Sequence, residues 1–343
     1  MPLPGRHVPG AGPGDGLGGF PSGGFAPAGP GPGIPARPTV PPIVPAAPPW
    51  QRLTVGEPGP EFEARPPVGP FAYDCPDTEC DGWSTPQLTV RFASVRGAKH
   101  RYYRQPRQDA ARAAVHEPTG STVFAVADGV SSASHAELGA AEACRAAVRR
   151  MLSLLSRQPG PLDLREVAQH AAARLCELAR RDTGGREPGP GEVADRYATT
   201  LVFGVAYPDS TGCAVDIGRI GDSGAWLLDL AGGTYRALFE TKTGSDSTVV
   251  SNEVHPLPEV PDPLPYAGVR PVPGQAVLIG TDGFGDPLGD GDGPVGALFA
   301  RNLGAAEPPS PPWLAHLLDF SKETFDDDRT LLALWPRSGA AAP

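Results

Sequence analysis

Large apolar side chains are scarce at the start of this 343-residue chain, where Gly and Pro dominate ("PGAGPGDGLGGFPSGGFAPAGPGPG", then "PARPTVPPIVPAAPPW"). Such a segment cannot offset the entropy of ordering, so residues 1–70 are expected to be a disordered arm. The arm lacks the basic start and apolar segment of a signal peptide. No run anywhere approaches the ~18 apolar residues a membrane span needs, so no membrane partner is expected. Nor does any stretch concentrate Lys and Arg, and the net charge is −10. That balance argues against nucleic acid as a partner and leaves the acidic excess to serve cations. The five cysteines are an odd number. Cys144 and Cys176 fall on apolar faces of expected helices and Cys213 in an expected strand, which reads as buried thiols in a reducing, cytoplasmic compartment. Cys75 and Cys80 form a lone C-x4-C whose other two zinc ligands are not evident.

Past the arm, a linker (71–86) leads into a domain expected over residues 87–336, with a short tail at 337–343. "LTVRFASVRG" (88–97) and "TVFAVAD" (122–128) read as strands, the second apolar on both faces. "SHAELGAAEACRAAVRRMLSLLS" opens with Ser134 and Glu137 at capping-box spacing, and its Ala140, Cys144, Ala147, Met151 and Leu155 recur at helical spacing. Asp163 and Glu166 open a second such helix. Four strand-like runs follow between residues 197 and 240, with a Gly232-Gly233 turn before the last. A long polar loop (241–272), a buried strand "AVLIGTD", a short helix near "WLAHLLDF" and a final strand "RTLLALW" complete the domain. Hairpins with paired helices inserted predict an α+β fold, a layered α-β-β-α sandwich of two antiparallel sheets flanked by helices.

Two apolar strands end in the same grammar, Asp128-Gly129 and Asp282-Gly283, and the last begins just after Asp326-Asp327-Asp328. Any one Asp-Gly reads most simply as a turn. Jointly they could present carboxylates at one edge of the sandwich. Two carboxylates 4 Å apart cost roughly 4 kcal/mol at an effective dielectric of ~20, so such a cluster persists only with cations. Hard oxygen ligands without nearby His or Cys suit Mg²⁺ or Mn²⁺. The ligand order of an EF-hand, ending in Glu, is absent.

The same elements, in order from about residue 91 to 335, resemble the metal-dependent protein phosphatase family of type 2C. "FAVADGVSS" is similar to its first Asp-Gly motif, and the glycine of "AELGAAEA" to one in its following helix. "ATTLVFGV" is similar to its Gly-Thr-Thr segment with Ala198 for the glycine, and "GDSGA" to its Gly-Asp-Ser-Arg motif with Gly224 for the arginine. "TDGFGD" resembles its second Asp-Gly element, and "DDRTLLAL" its closing Asp-Asn-x-Thr with Asp328 for the Asn. The resemblance implies that Asp128 bridges two ions, that the Gly129 carbonyl coordinates one, and that Asp282 and Asp327 complete the first ion's shell. Asp195 stands where some bacterial members hold a third ion. Gln108 takes the place of the glutamate that normally holds the second, beside Asp109, in a "QDA" variant similar to that of a bacterial subgroup. Arg104, five residues before Asp109, has the spacing of the phosphate-binding arginine, with His100 or Arg101 as alternatives because the preceding stretch is long.

The function this implies is a cytoplasmic, metal-dependent phosphoprotein (Ser/Thr) phosphatase, a signalling hydrolase acting by direct attack of an activated water, without a phosphoenzyme. Its partners would be phosphorylated proteins of a Ser/Thr kinase system, the chain being a monomer. The loop 241–272, with Asp246 and His255, would select the substrate. The rival is a degenerate phosphatase fold that binds a phosphorylated partner without hydrolysis. Gln108, Gly224 and Ala198 favour it; Asp128, Asp282 and Asp327 oppose it. A haloacid-dehalogenase mechanism would need its nucleophilic Asp at position 126, which is Val126.

Overall fold

The computed structural model describes residues 50–209, 212–239 and 255–337. Most of the expected arm, Asp246 and the end of the tail lie outside them. The elements follow in the order β1 (Thr78–Ser84), β2 (Leu88–Val95), α1 (Ala98–Tyr103), β3 (Asp109–His116), β4 (Ser121–Asp128), α2 (Ala136–Arg157), α3 (Leu164–Asp182), α4 (Pro190–Tyr197), β5 (Leu201–Asp209), β6 (Gly212–Ile220), β7 (Gly224–Asp229), β8 (Thr234–Ala237), β9 (Tyr266–Val269), β10 (Gln275–Gly280), α5 (Asp282–Leu288), α6 (Pro294–Leu303), α7 (Pro311–Leu318) and β11 (Arg329–Pro336). One sheet runs β1-β2-β11-β10-β7-β8 and the other β3-β4-β5-β6-β9. Every pairing within them is antiparallel.

Strand β4 shows why the layers form. Successive side chains alternate faces, so Val123, Ala125 and Ala127 pack outward beneath Ala140, Cys144 and Met151 of α2. Phe124 and Val126 point inward, against Ile279 of β10 and Leu332 and Leu334 of β11. The outer face of the six-stranded sheet, through Val95, Leu278 and Leu331, is covered by Phe284, Phe299 and Leu314 of α5, α6 and α7. This is the α-β-β-α sandwich expected from the sequence. No helix among the described residues is long and apolar enough to cross a membrane.

The structure differs from expectation at the front of the domain. Residues 78–84, assigned to a linker, form the edge strand β1 paired with β2. Residues 50–70, assigned to the arm, are tied to the domain. Val55 is buried in the outer core, Thr54 bridges Ser321, and the Arg65 and Val68 N–H groups donate to the carbonyls of Arg101 and Arg104. Asp163 caps α3 as expected, accepting from Arg165 and Glu166 N–H. Ser134 caps nothing: α2 begins at Ala136, and the Ser134 N–H donates to the Asp195 carbonyl.

Candidate active site

One end of the sandwich collects four strand termini, because β3 begins and β4 ends where β10 ends and β11 begins. Asp109 and Asp128 are register partners across β3 and β4. On the other sheet, the Thr281 N–H donates to the Thr330 carbonyl at 3.2 Å. Both threonine hydroxyls then donate to Asp109 Oδ2, at 2.8 and 2.7 Å. A carboxylate of one sheet is thus held by hydroxyls of the other.

Neither Asp-Gly is a free turn. The Gly129 N–H donates to the Gln108 carbonyl at 3.1 Å, and a Cβ at Gly129 would sit 2.5 Å from the Ala136 carbonyl oxygen. A Cβ at Gly283 would sit 1.8 Å from the Asp328 carbonyl oxygen. Close backbone approach therefore demands glycine at both positions. Asp128 is clamped through its main chain. Its N–H donates to Thr200 Oγ1 at 3.0 Å, and its carbonyl accepts from Thr199 Oγ1 and from the Thr200 N–H, both at 2.8 Å. Thr200 Oγ1 in turn shares a 2.7 Å hydrogen bond with Ser223 Oγ. The Thr-Thr and Gly-Asp-Ser segments are fixtures of Asp128.

Charge crowding is visible in the acidities. Burial pushes Asp109 and Asp128 well above the usual carboxylate range, and their acidic neighbours push them further. Burial also raises Asp282; its hydrogen bond from Asp128 offsets part of this, while Asp327 and Asp222 add to it. Asp286 is raised by burial and by Asp282, Asp222 and Asp327. Gln108 is buried, and its Oε1 has no donor among the described residues. Buried carboxyls whose charges repel one another, together with an unpaired amide oxygen, form an oxygen-rich donor set that a hard divalent cation would satisfy.

The remaining expected residues fall in different places. Asp327 borders the cluster, half-exposed, its Oδ1 accepting from the Asp328 N–H at 2.9 Å. Asp328 is buried and accepts from the Gly97 and Gln108 N–H groups, each at 2.6 Å. Its Oδ2 lies 2.8 Å from His100 Nδ1. A histidine is therefore near the acids, contrary to expectation, but neither of its nitrogens is aligned for a linear hydrogen bond. Burial opposes the charge on His100, and Asp328, Asp327 and Asp109 outweigh it, raising the imidazole pKa; the same contact helps to lower that of buried Asp328 against its own desolvation. Asp195 is exposed on α4. Arg104 is exposed at the end of α1, its Nε donating to the Pro66 carbonyl at 3.3 Å. His255 is exposed and 3.3 Å from Glu259.

Sequence reasoning missed Arg107. It is buried behind the cluster and donates to the Asp109 carbonyl and Ser94 Oγ, both at 2.5 Å, and to Glu79 at 3.0 Å. Ser94 Oγ is 2.6 Å from Thr330 Oγ1, so one polar chain runs from β1 to Asp109. The available signal was a basic residue directly before "QDA".

The family model described as protein phosphatase 2C matches residues 96–319, well over half of the chain. No curated protein matches it. Among solved structures, the S. agalactiae serine/threonine phosphatase is 14% identical with a TM-score of 0.47, covering 73% of this chain and 100% of its own. RsbX in complex with magnesium is 11% identical with a TM-score of 0.45, covering 76% and 100%. The catalytic domain of the serine threonine protein phosphatase PstP, in complex with two manganese ions, is 18% identical with a TM-score of 0.45, covering 73% and 98%. By its match over residues 96–319, the chain belongs to the protein phosphatase 2C family.

Proposed function

We propose that this chain is an active, metal-dependent phosphatase of phosphoserine and phosphothreonine in proteins, working with Mg²⁺ or Mn²⁺. The observation that carries this reading is the meeting of Asp109, Asp128 and Asp282, all with pKa values raised by burial and by acidic neighbours, next to a Gln108 whose buried Oε1 is unpaired. Two ions held there would supply a nucleophilic water at neutral pH and neutralise phosphoryl charge.

Asp128, the Gly129 carbonyl, Asp282 and Asp327 would hold them, with Gln108 and Asp109 facing the second. A neutral amide brings no charge, so that ion binds more weakly. Exposed Asp195 would take a third. The threonine clamp on the Asp128 main chain would keep that carboxylate in register, which matters because small displacements of reacting groups cost large factors in rate. The Leu257 N–H donates to the Thr199 carbonyl at 2.9 Å. Leu257 therefore stands beside the Asp128 loop, where a phosphoprotein from a kinase system would be met.

The test is Mn²⁺-dependent phosphate release from a phosphothreonine peptide and from para-nitrophenyl phosphate, with wild type beside Asp128→Ala and Asp282→Ala. Turnover that needs metal and is lost in both variants supports the reading. Absence of turnover in wild type at saturating Mn²⁺ overturns it.

A further inference from the structure

Resting on the phosphatase reading, we infer that Lys99, rather than Arg104, is the cation that receives the phosphoryl group of the substrate. Arg104 and its two alternatives, Arg101 and His100, all face other partners. Arg104 takes a left-handed conformation (φ 63°) that ends α1 and directs its Nε to the Pro66 carbonyl. Arg101 pairs with Asp77 and Asp319, both at 2.7 Å. His100 is buried against Asp328. Arg107 sits behind Asp109, and Arg219 lies over the Phe239 ring at 4.6 Å.

Lys99 differs from all of these. Its Nζ lies 3.6 Å from Asp327 Oδ2, and its side chain is 40% exposed. The ammonium therefore stands between the carboxylate site and solvent. Its backbone is fixed, because the Lys99 N–H donates to the Asp326 carbonyl at 2.9 Å. Its four-carbon stem is free to re-aim. Were Asp327 to hold a metal ion, the ammonium would lose that partner and be free to meet a phosphoryl oxygen arriving from solvent. Three N–H donors on a point charge suit a dianionic monoester in several poses.

Calorimetric titration of inorganic phosphate into the Mn²⁺-loaded full chain tests this, using wild type, Lys99→Ala, Lys99→Arg and Arg104→Ala, with Mn²⁺ affinity measured in each. Lys99→Ala is expected to weaken phosphate binding about tenfold, roughly 1.4 kcal/mol, while Mn²⁺ binds as tightly or more tightly because Asp327 has lost a competitor. Lys99→Arg should retain most phosphate affinity. Unchanged phosphate binding in Lys99→Ala, a loss confined to Arg104→Ala, or a joint loss of Mn²⁺ and phosphate would each overturn the assignment. Wild type that binds no Mn²⁺ overturns both it and the phosphatase reading. Phosphate binding that needs Lys99, in a protein that releases nothing from phosphopeptides, supports Lys99 and sinks the hydrolase reading alone.

Discussion

Asp109 of β3 stands directly opposite Asp128 of β4, and its carboxylate is held by two threonine hydroxyls from the other sheet, Thr281 and Thr330. The two sheets are thereby locked together at the acidic edge. Removing those hydroxyls leaves a buried carboxylate oxygen without donors, a loss comparable to that of an outer-shell partner of a metal ligand. Thr330→Val and Thr281→Val should each weaken Mn²⁺ binding by about 10- to 100-fold, read by Mn²⁺ titration of the folded variants. Wild-type affinity in both would mean that Asp109 needs no such support.

Arg107 is the link from this edge to β1. Its guanidinium is buried and donates to Ser94 Oγ and the Asp109 carbonyl, while partly exposed Glu79 keeps Arg112 as a second partner. Arg107→Met removes those buried donors and should destabilise the fold by about 2 kcal/mol, seen as a lowered urea midpoint with unchanged slope. A midpoint equal to that of wild type would contradict this.

The segment before β1 is a strap. The Val55 N–H donates to the Ser321 carbonyl at 2.9 Å and the Ser321 N–H to the Leu53 carbonyl at 2.6 Å, immediately upstream of Asp326–Asp328. A chain beginning at residue 71 should be less stable than one beginning at residue 50, by at least the ~1.5–3 kcal/mol of a buried aliphatic side chain. Comparable melting temperatures for the two would show the strap to be passive.

Much of this was legible in the sequence because burial on both faces leaves uninterrupted apolar runs, as in "TVFAVAD" and "AVLIG". Strand β3 was not, since "DAARAAVH" is alanine-rich and shows no strand composition; its place is set by pairing with β4. Helix α5 was hidden by the glycines and proline of "DGFGDPL". Asp128, Asp282 and Asp327 stand out in the sequence because each lies at or close to the end of an apolar strand. Spacing counted along the chain marks Arg104, but α1 coils the six residues just before it, and the cation that the fold sets beside Asp327 is Lys99. Asp328, which stands in place of the Asn of the closing motif, is buried and serves as an acceptor for backbone N–H groups.

Acidity offers a further prediction. Asp109, Asp128 and Asp282 have folded pKa values above that of an unfolded Asp, about 3.9, so across that window the folded state holds more protons and loses stability as pH rises. Bound Mn²⁺ takes the protons' place and removes the penalty. The gain in melting temperature on adding saturating Mn²⁺ should therefore grow from pH 5 to pH 7.5. A gain that is flat or shrinks with pH would contradict the raised pKa values.

Most direct is calorimetric titration of the full chain with Mn²⁺, beside Asp128→Ala, Asp282→Ala and Gln108→Glu. The carboxylate edge predicts one tight and one weaker ion in wild type, loss of both in Asp128→Ala, loss of the tight ion in Asp282→Ala, and a tightened second ion in Gln108→Glu. Binding that is absent in wild type, or indifferent to Asp128 and Asp282, would contradict a metal centre at this edge.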